Sequence, residues 1–195
     1  RYRSSAASDV YKRQISNKDN LLVSILAGVS INRLTQKFPN HKCVRVVTNI
    51  PITVGKGLTG IAWGENLTKD QKQITKKLFE NTSKIYEFTE DYLDIFLALT
   101  SSGPAIIALI IEALSDGGLS GGLPKILSEE LIMEMILGTI SLIRENQLTP
   151  SELRNLVTSP GGTTISALRV LEKKSVRSAL IESIVSASNR SKEFS

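Results

Sequence analysis

IFLALTSSGPAIIALIIEAL (95–114) holds one charged residue, Glu112, in twenty positions, and what covers this stretch decides the fold. By length it meets the requirement for a membrane-spanning helix. Thr100, Ser101, Ser102, Gly103 and Pro104 interrupt it at its centre, where a broken helix would leave backbone polar groups unpaired in lipid. Neither an aromatic belt nor a flanking Lys/Arg cluster frames it. A helix apolar on every side is then buried in protein, and so short a chain has few elements with which to cover it. Leu127, Leu131, Met135, Ile136, Ile140 and Ile143 give the next helix a similarly wide apolar face. An ordinary core is one reading; an intertwined helical dimer is the better one, and no membrane partner is expected.

Outward from this stretch the chain divides. From Glu90 to Glu193 nearly everything reads as helix, punctuated at SSGP (101–104), DGGLSGGLP (116–124), NQLTP (146–150) and TSPGG (158–162). Upstream, β-branched runs read as strands: LLVSILAGVS (21–30), stopping at Gly28, CVRVVTNIP (43–51), closed by Pro51, and GLTGIAWG (57–64). KIYEF (84–88) alternates and makes a fourth. Ile31, Leu34 and Phe38 fall at helical spacing between the first two. LTKDQKQITKKLFENTS (67–83) predicts an amphipathic helix with Thr68 as N-cap and Ile74, Leu78 and Phe79 facing inward. Interleaved strands and helices predict a mostly parallel α/β sheet, with a domain boundary at about residue 89.

The formal charge of +5 is concentrated in residues 1–14, where Arg1, Arg3, Lys12 and Arg13 face only Asp9. The remainder carries +2 and no basic patch, so a nucleic-acid partner is not expected. RYRSSAASDVYKRQ (1–14) has neither apolar periodicity nor signal-peptide architecture and reads as a non-native, appended tail. With no initiating Met, the chain is expected to be a fragment of a longer one. One cysteine, Cys43, and one histidine, His41, exclude a disulfide framework, most histidine metal sites and, unless His41 serves, the Ser-His-Asp and Cys-His nucleophiles. His41 lies in FPNHK (38–42) and is expected to be a satisfied or exposed loop residue. No metal site is expected. The glycines of GLSGGLP (118–124) follow a helix, not a strand, so the dinucleotide fingerprint lacks its context. Glu129/Glu130 suit a helix start; Glu90/Asp91 sits on the domain boundary, where clefts form.

VTSPGGTTISALRVLE (157–172) is the most unusual segment. Pro160 stiffens the loop, and Gly161 and Gly162 let backbone amides approach a ligand. Thr163 and Thr164 open an amphipathic helix. With hydroxyls from Thr158, Ser159, Thr163 and Thr164, this is a small-anion site suited to a carboxylate. It is equally a capping loop with Gly162 or Thr163 as N-cap.

ILAGVSINRL, VRVVTNIPITVGKG, LTSSGPAIIALIIEALSDGGLSGGLP and PSELRNLVTSPGGTTISALRVLE together resemble pyrroline-5-carboxylate reductase across essentially all of 15–195. The resemblance implies the back half of a Rossmann-type NAD(P)-binding domain (15–89), with roughly the first third of the family's length absent. An all-helical dimerisation and substrate domain (90–195) follows. It implies NADPH or NADH as cofactor, 1-pyrroline-5-carboxylate as substrate, a homodimer or dimer-based decamer, and a cytoplasmic setting. By position, Thr164 matches the family threonine proposed to hydrogen-bond the imine nitrogen. Ser159, Gly162 and Thr163 match the loop holding the substrate carboxylate, and Glu90 an acidic position near the substrate ring. Ala27 lies in the turn lining the nicotinamide side, and Asn49 matches the Asn of an R-x-M-P-N-T-P segment. That segment here is RVVTNIP (45–51), with Val47, Thr48 and Ile50 at variant positions, and Leu26 replaces a usual alanine. Two other readings stand beside this one. The first is a helical dimerisation module without a working cofactor site. The second is a related hydroxy-acid dehydrogenase, disfavoured because 101–118 holds none of the lysines that such enzymes place near the nicotinamide.

Overall fold

The structure, a computed structural model, describes residues 20–193; the expected tail at 1–14 lies outside the described residues. The chain forms two compact units, one running to Ser102 and including Ile184 onward, the other Gly103–Ser183.

The first unit is built on four strands in the order β1-β2-β3-β4: β1 (Leu21–Ser24), β2 (Lys42–Thr48), β3 (Gly57–Trp63) and β4 (Ser83–Glu87). β1 runs parallel to β2 and β3 parallel to β4, each pair joined through a helix, α1 (Ile31–Lys37) or α2 (Lys69–Lys77). β2 and β3 are antiparallel, with Val44 opposite Trp63 and Val47 opposite Gly60. Two of the three pairings are parallel, as the expected mostly parallel sheet requires, and β2–β3 is the antiparallel exception. Only residues 49–56 connect these two strands, including a 3₁₀ turn at Ile50–Val54 closed by Gly55 at φ +69°. A parallel return needs a crossover of a dozen residues or more.

β2 is buried on both faces, as the continuous run CVRVV suggests. Val44, Val46 and Ile61 make one core, with Leu67, Phe79 and Ile85 against it. Val47, Ala62, Leu93 and Phe96 make the other, joined by Ile31, Tyr86 and Phe88. Leu93 and Phe96 belong to α3 (Leu93–Thr100). Phe96 lies so close to Gly60 that a Cβ there would meet its ring at 2.8 Å. On α2, Thr68 caps as expected, in a reciprocal box with Gln71. The inward face is rotated from the expected one. Thr75 is fully buried and Phe79 packs inward, whereas Ile74 and Leu78 are exposed. Thr75 tolerates burial because its hydroxyl donates to Gln71 O at 2.9 Å.

The second unit is helical, with α4 (Gly103–Ser120), α5 (Lys125–Glu145), α6 (Pro150–Leu156) and α7 (Thr163–Lys173). α8 (Val176–Lys192) begins in it and ends in the first unit. α4 continues through Asp116–Ser120, so the break expected over 116–124 is confined to residues 121–124, with Gly122 at φ +97°. Another break, at Lys174 and Ser175, carries no glycine or proline; Ser175 takes φ +55°. The α4–α5 hairpin is tight: a Cβ on Gly118 would meet Ser128 Oγ at 2.6 Å. Its fully buried side chains are hydroxyls, Ser115 and Ser128, while Leu109, Ile126, Leu131, Met135 and Ile140 stay exposed. By length and composition alone, Glu90–Ser120 would reach across a membrane, but residues 101–102 divide it into α3 and α4.

Candidate functional site

The first unit holds Ala27, Asn49 and Glu90. β1 ends at Ser24 and the chain turns at Ala27 and Gly28, where Gly28 takes φ +70°, a conformation glycine adopts without a Cβ penalty. Ile25, Leu26 and Ala27 are exposed on this turn at the carboxyl end of a strand, the usual ligand side of open α/β sheets. Ser30 then caps α1.

Glu90 opens a 3₁₀ turn leading into α3. Its Oε1 accepts from Ile31 N at 2.7 Å and from Arg45 Nη1 at 3.2 Å. Arg45 is 1% exposed and its Nη2 donates to Asp94 Oδ1 at 2.9 Å. Asp94 also accepts from Ser191 Oγ at 2.8 Å, near the end of α8. Arg45, Asp94 and Ser191 escaped the sequence reading. One signal could have found them: a guanidinium inside CVRVV is flanked by valines with no carboxylate in its own strand, and a buried charge requires partners. Asp91, beside Glu90, is exposed.

Asn49 is buried, and its side-chain amide is committed at both ends. Nδ2 donates to Thr100 O at 3.1 Å and Oδ1 accepts from Leu58 N at 2.8 Å. It braces the turn after β2.

Beside Glu90 lies a hollow of about 580 Å³ lined by Ile31, Thr35, His41, Cys43 and Trp63, among others. His41 stacks edge-on to Phe38 at 5.6 Å, and its ring nitrogens are buried without a hydrogen bond among the described residues. It is therefore neither the satisfied nor the exposed histidine expected. Burial pushes the Cys43 thiol above its ordinary range, opposed by a hydrogen bond with Thr35.

The second unit holds Ser159, Gly162, Thr163 and Thr164. Gly161 takes φ +73°, and Gly162 is the N-cap of α7. A Cβ on Gly162 would meet Ser159 Oγ at 2.6 Å, so the Ser159 side chain packs directly over this position. No side chain caps α7. Thr158 does not contribute, because its hydroxyl donates back to Arg154 O at 2.6 Å. The result is a helix start with uncapped first-turn amides, the Ser159 hydroxyl behind them, and Thr163 and Thr164 on the first turn. Such an end accepts an anion.

The profile described as pyrroline-5-carboxylate reductase dimerisation matches residues 90–194. The chain belongs to the pyrroline-5-carboxylate reductase family. A pyrroline-5-carboxylate reductase of Synechocystis sp. is 43% identical over 174 residues, covering 89% of this chain and 65% of the relative. One from Glycine max is 38% identical, covering 91% and 65%. Among solved structures, the Plasmodium falciparum pyrroline carboxylate reductase with NADP bound superposes with a TM-score of 0.86 at 31% identity, covering 89% of this chain and 67% of that one. The Coxiella burnetii enzyme gives 0.84 at 33%, covering 96% and 70%. The chain thus spans about 65% of the length of these curated relatives. The family fold matches the architecture described: the C-terminal half of a Rossmann-type sheet followed by helices.

Proposed function

We propose that this chain serves the NAD(P)H-dependent reduction of 1-pyrroline-5-carboxylate to L-proline. The observation that carries the proposal is the SPGGTT start of α7, with its amides uncapped by any side chain and Gly162 held against Ser159. The substrate carboxylate would sit on these amides, with the Ser159 and Thr163 hydroxyls beside it. Thr164 would hydrogen-bond the imine nitrogen. A threonine hydroxyl is a poor acid at neutral pH, so its role is to orient, with the proton already on the imine. When bound, the nicotinamide supplies the hydride. The exposed apolar turn around Ala27 fits a nicotinamide face, and Asn49 would hold that side in shape by bracing the turn after β2. Glu90 would accept from a polar group at the substrate ring.

The helical part, from about residue 90, would assemble the chain into a homodimer or a dimer-based decamer. Supporting this, the α4–α5 hairpin buries Ser115 and Ser128 and leaves Leu109, Ile126, Leu131, Met135 and Ile140 exposed. We place the enzyme in the cytoplasm, where a lone thiol such as Cys43 stays reduced. A second reading, a dimerisation module without catalysis, is supported by the match of residues 90–194 to the dimerisation profile.

The test is NAD(P)H-dependent reduction of pyrroline-5-carboxylate by this chain beside one extended upstream to the length of its relatives. Activity in the extended chain alone supports the reductase and marks the present span as insufficient. Activity in neither shifts the assignment to the dimerisation module.

A further inference from the structure

We infer that Arg45 is a positioning residue: it fixes the Glu90 carboxylate and, through that carboxylate, ties the cofactor-side turn to the substrate side. The inference rests on the reductase reading above for the role of Glu90.

Three observations carry it. Arg45 points to the α1–α3 face of β2, two residues before the core residue Val47, and is 1% exposed. Burying a guanidinium there is unfavourable on packing grounds, since an apolar side chain of similar volume generally does as well or better. The position therefore asks for something only a forked cation supplies. Its two terminal nitrogens reach different carboxylates, Glu90 at 3.2 Å and Asp94 at 2.9 Å, while Nε has no partner. The fork alone is in use. Finally, Glu90 Oε1 takes both Arg45 and the Ile31 amide, whereas Oε2 accepts no hydrogen bond from the described residues. One oxygen is anchored and the other is left for a ligand, on a side chain still 28% exposed.

The Ile31 amide opens α1, four residues beyond Ala27. Movement of Glu90 therefore releases the helix start that ends the cofactor-side turn. Asp94 and its partner Ser191 hold the far side of the fork, so the guanidinium cannot follow Glu90 if that carboxylate swings.

The experiment uses the chain extended to the length of its relatives, with Arg45→Lys, Glu90→Gln and the double variant. Melting temperature, steady-state kinetics and hydrogen exchange at the Ile31 amide are measured for each. A lysine ammonium, one nitrogen in place of the two that now reach Glu90 and Asp94, cannot reproduce the fixed spacing of the fork. Arg45→Lys should lower kcat/KM by ~10-fold, within the range for a misplaced reacting group, and speed exchange at Ile31. On the Glu90→Gln background the same change should cost less than about twofold, because Arg45 acts through Glu90. Equal losses on both backgrounds, or unchanged Ile31 exchange in Arg45→Lys, overturn the inference. If the parent chain does not reduce pyrroline-5-carboxylate, the reductase reading fails, and Ile31 exchange alone decides whether Arg45 sets Glu90. Should Arg45→Lys not fold, Arg45→Lys/Asp94→Asn, with one ammonium for one carboxylate, takes its place in the cycle.

Discussion

Two side chains of the RVVTNIP segment, Arg45 and Asn49, both work inside the fold, yet only Asn49 is legible in the sequence. Asn49 was legible through the family motif. Both ends of its amide bind backbone, which braces the turn after β2. Arg45 is a lone charge within the apolar run CVRVV, and only the arrival of Glu90 and Asp94 from 45 and 49 residues away explains it. Residues of the α7 loop were more legible, because glycine at φ +73° and a helix start are local properties. Thr164→Ala in the extended chain should reduce kcat by ~10²-fold or less, the scale for one positioned donor. A loss of twofold or smaller in the steady-state rate removes Thr164 from the site.

At the scale of elements, local signals read well when a single chain segment settles them. Thr68 capped α2 as expected because the box needs only Gln71 three residues on. The facing of α2 did not read, because a helix with few apolar residues can present several stripes, and the sheet selected the one through Thr75 and Phe79. The same helix is latched to β4 by Lys76 and Glu87. The hydrogen bonds from Lys76 and then Trp63 hold the Glu87 carboxyl below its ordinary range. A lowered carboxylate stabilises the fold above its unfolded-state value, and that contribution is lost as pH falls through the folded-state one. Melting temperature should therefore drop slightly more for the parent than for Glu87→Gln on going from neutral pH to below the carboxylate range. Both side chains are more than one-third exposed, so the difference should be small and shrink with added salt. Gly60 makes a stronger case. Gly60→Ala forces a methyl against Phe96 and Leu93 and should destabilise by about 1–3 kcal/mol, as overpacking does. Urea unfolding measures this, and an unchanged midpoint would show that α3 yields without strain.

For the whole molecule, the decisive property is where the apolar surface goes. In the second unit Leu131, Met135 and Ile140 are 49%, 48% and 42% exposed along α5. If these faces meet another copy, Leu131→Asp should weaken self-association by ~10-fold or more, the scale for one leucine removed from a buried face. Light scattering across a dilution series reads it, and an unchanged mass at every concentration would exclude Leu131 from the contact. Local sequence specifies the four strands, most helix boundaries, the helical second half, the special α7 loop and, through its motifs, the family. Each depends on residues near one another in the chain, through β-branching, capping, glycine conformation or apolar periodicity. The antiparallel β2–β3 pairing follows from the short connection at 49–56, whereas the inward stripe of α2, the commitment of Asn49 and the Arg45–Glu90–Asp94–Ser191 network arise only in the packed structure. These are contacts between distant segments, and their energy depends on which charges, hydroxyls and rings share a buried space, which no local pattern specifies.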